Sequence, residues 1–278
     1  MSEKGLKTID FEALLKTSVS LPLVRIDREE FLKSELKKYC DKKTIRKAIS
    51  VNPAYAGIAQ SVINTIADDC IRYESVKVSA ISFASGIPGG VAMVASIPAD
   101  IAQYYAHVLR IIQKLAYLYG WQSLIDEEGT VDTKTSQILT LFTGVMFGVN
   151  SAKTVVTKLS GSMAQRVEKV LINKALTKGV IYPVVKKVAT ILGVKMTKEV
   201  FAKGVSKIIP VVGGFVSGGL TYVTYRPMSI KFKNYLEGLD LASVEHYEEL
   251  KKKQDTNGED YIEVNYTDVD ATDNEQIE

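Results

Sequence analysis

Five polar residues recur at helical spacing along an otherwise apolar stretch: Asp100, Gln103, His107, Arg110 and Lys114. At 3.6 residues per turn they share an arc of roughly 80°. Pro98 and Ala99 precede Asp100, a placement that suits an N-cap or a first-turn acid at the positive end of a helix dipole. Ile101, Tyr105, Val108, Ile112, Leu115 and Tyr119 fill the opposite face. A carboxylate, an imidazole and a guanidinium on one face can serve as acid, base and anion binder, so one reading is a stripe that lines a ligand pocket. The other is a stripe that faces solvent, the common fate of a polar helix face. A metal does not fit, because Asp100 and His107 stand two turns, about 10 Å, apart along the axis.

Nothing else in the chain forms a catalytic signature. There is no Gly-x-x-x-x-Gly-Lys-Ser/Thr loop, Gly-x-Gly-x-x-Gly fingerprint, Gly-x-Ser-x-Gly elbow or His-Glu-x-x-His pair. Asp68 and Asp69 point about 100° apart on a helix and make no facing dyad. Cys70 reads as a buried, inert thiol, and His246, among Glu245, Glu248 and Glu249, as a surface residue. Two cysteines and two histidines exclude a disulfide scaffold and a multi-cysteine zinc fold. No catalytic residue, metal or cofactor is therefore assigned.

The elements that must position the stripe are helices. Asp27 and Glu30 form a capping box ahead of Phe31, Leu32 and Leu36. Pro53 can open a helix to about Tyr73, and a strongly marked helix covers Asp100–Tyr119. Further helices are expected over 134–152, 161–178, 183–192, 197–208, 211–225 and 228–250. The weak alternation of Tyr261–Tyr266 sits in acidic surroundings that favour disorder. With 278 residues and 46% apolar content the chain can bury a large core. The expected class is all-α, a multi-helix bundle with central Gly-rich apolar helices.

Those central helices are read from three charge-free stretches: Val78–Ala99, Thr135–Ala152 and Ile208–Tyr225. Each holds glycines at i, i+4, namely Gly86/Gly90, Gly144/Gly148 and Gly214/Gly218, a spacing that lets another helix approach closely. None offers about 20 uninterrupted apolar helical residues, since Pro88, Pro210 and Pro227 intervene and the second stretch, 18 residues long, includes Thr135, Ser136, Gln137, Asn150 and Ser151. Buried core helices are the first reading and hairpins that dip into a bilayer the second.

Charge is unevenly distributed. Nine acids follow Lys253 with no base among them, and the other 23 acids face all 35 bases, leaving the body at +12. Between Lys153 and Lys207 twelve bases face Glu168 and Glu199, a local +10. Lys153, Lys158, Arg166, Lys169, Lys186 and Lys187 are the candidates for contact with an anionic surface. Nucleic acid is not an expected partner, because this stretch offers only Tyr182 and Phe201 for stacking. The acidic tail could compete for the basic face and act as an internal brake. Glu3, Asp10, Glu12 and Lys16 interrupt the first 25 residues, so no export signal is expected and the protein should stay in the cytoplasm or on the cytoplasmic membrane face.

Several motifs resemble one family. Ile26-Asp27-Arg28-Glu29-Glu30-Phe31-Leu32, Ser85-Gly86-Ile87-Pro88-Gly89-Gly90 and Ile97-Pro98-Ala99-Asp100 are followed by Leu109-Arg110, Tyr119-Gly120-Trp121 and Lys207-Ile208-Ile209-Pro210-Val211-Val212-Gly213-Gly214. Together, in this order, they are similar to the EcsC family over about 27–237. The resemblance implies a bacterial, mostly helical protein and, since the family is named for a third component encoded with an ABC exporter, an accessory role at the membrane. It supplies no catalytic residue; Gly86, Pro88, Gly89, Gly90, Pro98, Gly120, Pro210, Gly213 and Gly214 match the pattern as structural positions. The resulting organisation is an N-terminal extension (1–25), an EcsC-like helical domain (26–250) and an acidic tail (251–278). The functional expectation is a non-enzymatic, membrane-associated accessory or interaction protein whose basic helical face meets an anionic membrane or a membrane-protein partner. The alternative is a soluble helical enzyme or small-ligand binder with a pocket near Asp100–Lys114.

Overall fold

The computed structural model describes residues 11–21, 24–85, 99–125, 132–164, 182–184, 186–188 and 213–257, with 11–13, 80–85, 99–101, 213–221 and 254–257 described by backbone alone. Every regular element among them is helical: α1 (Phe11–Val19), α2 (Arg28–Leu36), α3 (Lys42–Ser50), α4 (Gln60–Ser85), α5 (Ala99–Leu118), α6 (Thr133–Met146), α7 (Asn150–Ala164), α8 (Gly213–Glu237), a 3₁₀ turn (Asp240–Ala242) and α9 (Val244–Asn257). The helical class expected from the sequence is the class observed. Helix α5 lies at the centre, packed against α1, α2, α4, α6 and α8. Its Leu109, Ile111, Ile112, Leu115 and Tyr117 are fully buried, and Leu139–Met146 of α6 are buried as well.

Local chemistry sets the helix ends. Asp27, Asp41 and Asp132 are N-caps, each accepting from the backbone three residues on: Glu30 N at 2.8 Å, Thr44 N at 2.8 Å and Thr135 N at 2.6 Å. Helix α5 stops at Gly120, whose φ is +97°; Trp121 N donates to the Ala116 carbonyl at 2.9 Å and Gly120 N to that of Tyr117 at 3.3 Å. This is a Schellman turn, which needs a residue tolerant of the left-handed region. Buried Arg28 ties the first elements together. Its guanidinium donates to the carbonyls of Ala48, Ile49 and Val51 at the end of α3 and to that of Trp121, at 2.6–3.3 Å, so carbonyls left open by the end of α3 are satisfied by a charge. In the segment read as an extension, α1 buries Leu14 and Leu15, and Ser18 Oγ donates to the Ala102 carbonyl at 3.1 Å.

Several expected boundaries differ. The single helix over 134–152 is two, α6 and α7, because Gly148 (φ +81°) closes a second Schellman turn with Val149 N bonded to the Gly144 carbonyl at 2.8 Å. The Gly144/Gly148 pair therefore is not one groove. A Cβ on Gly144 would stand 2.8 Å from Ala152 Cβ and 3.0 Å from Val184 Cγ1, whereas one on Gly148 would meet nothing. Pro53 does not open a helix; Asn52 Oδ1 accepts from Tyr55 N at 2.7 Å, an Asx turn that delays α4 to Gln60. The helices expected at 211–225 and 228–250 are instead α8 and α9, with α8 running through Pro227. The proline removes the donor for the Val223 carbonyl, but both residues are exposed and water can take its place. The helix expected at 197–208 lies outside the described residues, as do Gly86, Pro88, Gly89, Gly90, Pro98 and Pro210. Gly213 and Gly214 begin α8.

Candidate functional site

Three residues of the polar stripe of α5, His107, Arg110 and Lys114, converge on a neighbouring helix. That helix is α4, where Glu74 is completely buried. Lys114 Nζ lies 2.8 Å from Glu74 Oε1. Arg110 Nη2 lies 3.1 Å and Nε 3.3 Å from the same oxygen. His107 Nδ1 approaches Oε2 at 3.5 Å, long for a hydrogen bond, and has no other partner among the described residues. Lys114 also stands over the rings of Tyr73 and Phe31 at 5.4 and 5.9 Å. Helix α8 joins through Tyr225, whose hydroxyl donates to the His107 carbonyl at 2.9 Å. Gln103 is half-buried, and Asp100 sits in the first turn of α5 with its side chain outside the described set.

Burial alone would raise the Glu74 carboxyl. His107, Lys114 and Arg110 outweigh that together and hold it well below the usual carboxylate range. Glu74 is therefore a fixed anion, and Arg110 and Lys114 are engaged by it. The arrangement locks α4 to α5 and leaves no vacant cation pair in it. A second polar seam joins α4 to α8: Lys233 Nζ lies 2.8 Å from Asp68 Oδ1, Asn64 donates to Glu237 at 2.7 Å, and Tyr119 donates to Asn64 at 2.8 Å.

The other candidates disperse. Asp68 pairs with Lys233 and Asp69 with Arg72 at 2.9 Å. Burial pushes the Cys70 thiol up to about 12, so it stays protonated and unreactive. His246, expected on the surface, is half-buried with its Nε2 enclosed and its ring against Tyr247. Among the described residues no three His, Cys, Asp or Glu side chains gather as a metal site.

Of the surface bases, Lys153 and Lys158 lie on α7, where Lys158 is exposed and Lys153 stands over the Tyr235 ring at 6.0 Å. Lys186 and Lys187 are both exposed, as is Tyr182, while Val184 and Val188 between and beside them are fully buried. Arg166 and Lys169 fall outside the described residues. No described helix is long and apolar enough to cross a membrane.

The residue that sequence reasoning missed is Glu74. Its signal was present: it falls in phase with Ile63, Ala67, Cys70, Ile71 and Val78, all buried. An acid in the apolar phase of a helix calls for a buried cation. Comparisons with protein-family models, with curated proteins and with solved structures found no match to the chain.

Proposed function

We propose that this chain is a non-enzymatic accessory or interaction protein of the EcsC type, attached at the cytoplasmic face of a membrane with its basic helical face toward anionic lipid or a membrane-protein partner. The observation that carries the reading is the segment 182–188. Its valines are sunk into the core while Tyr182, Lys186 and Lys187 stand in solvent, the pattern of an amphipathic surface helix with an aromatic and two bases outward. It lies within the +10 stretch between Lys153 and Lys207. Each base near an anionic leaflet contributes about 1 kcal/mol, so several acting together give reversible attachment.

Of the five pocket candidates of the alternative reading, Arg110 and Lys114 are engaged by Glu74 inside the fold. Flotation with phosphatidylglycerol-containing and purely zwitterionic vesicles tests the proposal. Binding to the anionic vesicles alone, weakened by salt and by Lys186→Glu/Lys187→Glu, is the expected result. Failure to float with either vesicle rejects it.

A further inference from the structure

We infer that the turn joining α2 to α3, together with the outer face of α3, is a second docking surface for an anionic bilayer, separate from the segment 182–188. This rests on the membrane reading above and names a further part of the molecule that meets lipid headgroups.

The charge there is concentrated. Over residues 37–47 six bases, Lys37, Lys38, Lys42, Lys43, Arg46 and Lys47, stand against one acid, Asp41. The first five of these bases are exposed, and none of the five forms an ion pair among the described residues. The Asp41 carboxylate is committed to its cap on Thr44 N at 2.8 Å. At about 100° per residue, Lys42, Lys43, Arg46, Lys47 and Ser50 fill one arc of α3 about 140° wide that holds no acid. Ile45 and Ala48, on the other side, are buried.

The fold does not call for all of these bases where they stand. Lys37 and Lys38 suit the negative end of α2. Lys42 and Lys43, however, occupy the first turn of α3, where the helix dipole disfavours a cation and no acid is present to offset them. An exposed, unpaired set of charges that works against its own helix is complementary to an anion outside the fold.

Neighbouring acids do not cover this surface. Glu29 and Glu30 sit in the first turn of α2, away from the turn into α3, and Glu35 is half-buried. Helix α9 extends the basic border instead. Lys47 Nζ stands 5.0 Å and Lys251 Nζ 4.7 Å from the centre of the same Tyr55 ring. Tyr55 in turn meets Tyr247 edge-on at 5.6 Å, so α9 is held beside α3. Two ammonium groups from distant parts of the chain thus share one ring, whose face offsets part of their repulsion. Exposed Glu248 and Glu249 lie one turn before Lys251–Lys253, which makes α9 the edge of the surface and the α2–α3 turn its centre.

Tyr39 decides the kind of partner. It is 46% exposed in that turn, with Lys37 and Lys38 before it and Lys42 and Lys43 after it. One tyrosine ringed by bases suits a headgroup layer, where the ring settles at the interface and the bases reach phosphate. A nucleic-acid strand would call for several rings on which successive bases stack.

The test uses the full chain and vesicles containing phosphatidylglycerol at low salt. Lys42→Glu/Lys43→Glu should weaken binding at least about thirtyfold, the product of two lost bases. Its unfolding temperature should not fall, because acids suit the first turn of α3. Lys134→Glu/Lys231→Glu, on α6 and α8, makes the same change in net charge and should leave binding within a few-fold. In Tyr39→Trp the vesicles should protect the added emission from acrylamide, against the constant background of Trp121, which is buried on Phe142. Full binding by Lys42→Glu/Lys43→Glu, or a loss no larger than that of the control pair, overturns this surface while the response to Lys186→Glu/Lys187→Glu still reports on membrane attachment. Retardation of a DNA duplex that disappears in Lys42→Glu/Lys43→Glu, with vesicle binding kept, gives the surface to nucleic acid and also overturns it. Absence of vesicle binding in the unaltered protein overturns both readings.

Discussion

Glu74 is the residue on which the α4–α5 interface turns. Removing its charge leaves Arg110 and Lys114 without a counter-ion at positions only 13% and 12% exposed. Glu74→Gln should therefore destabilise the fold by about 3 kcal/mol, the lower end for breaking a buried ion pair, because both cations retain a route to water. Lys114→Met should cost less, since Arg110 still satisfies the carboxylate and the methionine keeps the contacts with Phe31 and Tyr73. Urea unfolding of the two variants gives the order. The pH dependence has a definite sign. The native carboxyl lies below the free value of 4.5, so between the two values the unfolded chain binds the extra proton. The stabilisation from Glu74 is complete above pH 4.5 and is lost as the pH falls toward the native value. In Glu74→Gln that loss should vanish from the acid limb of the stability curve. The spacing of His107, Arg110 and Lys114 made their shared face legible in the sequence, but not what they face. Their partner lies 36 residues before Arg110, and only the packing of two helices brings it within reach.

At the scale of elements, the glycines separate into different physical roles that equal spacing conceals. Gly148 is needed for a left-handed turn with open space around it, and Gly144 for close approach in ordinary helical backbone; Gly120 meets both demands, since its φ is +97° and a Cβ would stand 2.7 Å from the Leu241 carbonyl oxygen. Alanine at Gly148 should cost about 1–2 kcal/mol, the penalty of the left-handed conformation alone. At Gly144 it should cost about 1–3 kcal/mol through overpacking. Gly120→Ala should exceed both, and thermal unfolding of the three variants checks the ranking. The sequence marked α5 well because a first-turn acid and one apolar period agree. It misplaced the boundaries at Pro53 and Pro227, where local rules compete with context: an Asx turn delayed one helix start, and solvent exposure let a helix continue through a proline. The split of 134–152 was hidden because no charge or proline marks the turn, only Gly148.

On the scale of the whole molecule, the opposition between a body at +12 and an acidic C-terminal segment becomes testable against the fold. Helix α9 continues to Asn257, with Lys251, Lys252 and Lys253 in its last half. Eight of the nine late acids lie beyond it, and these can be removed without cutting a described element. If the acidic segment competes with lipid for the basic surface, a chain ending at Asn257 should bind anionic vesicles more tightly than the full chain at low salt. Its salt dependence should also be steeper, because more bases are free to meet phosphate. Near 1 M salt, where screening acts within about 3 Å, the two chains should converge. Convergence separates charge competition from a steric effect of the extra residues, which salt would leave in place. Equal affinities at low salt would dismiss the brake while leaving the proposed attachment through the basic helical face untouched.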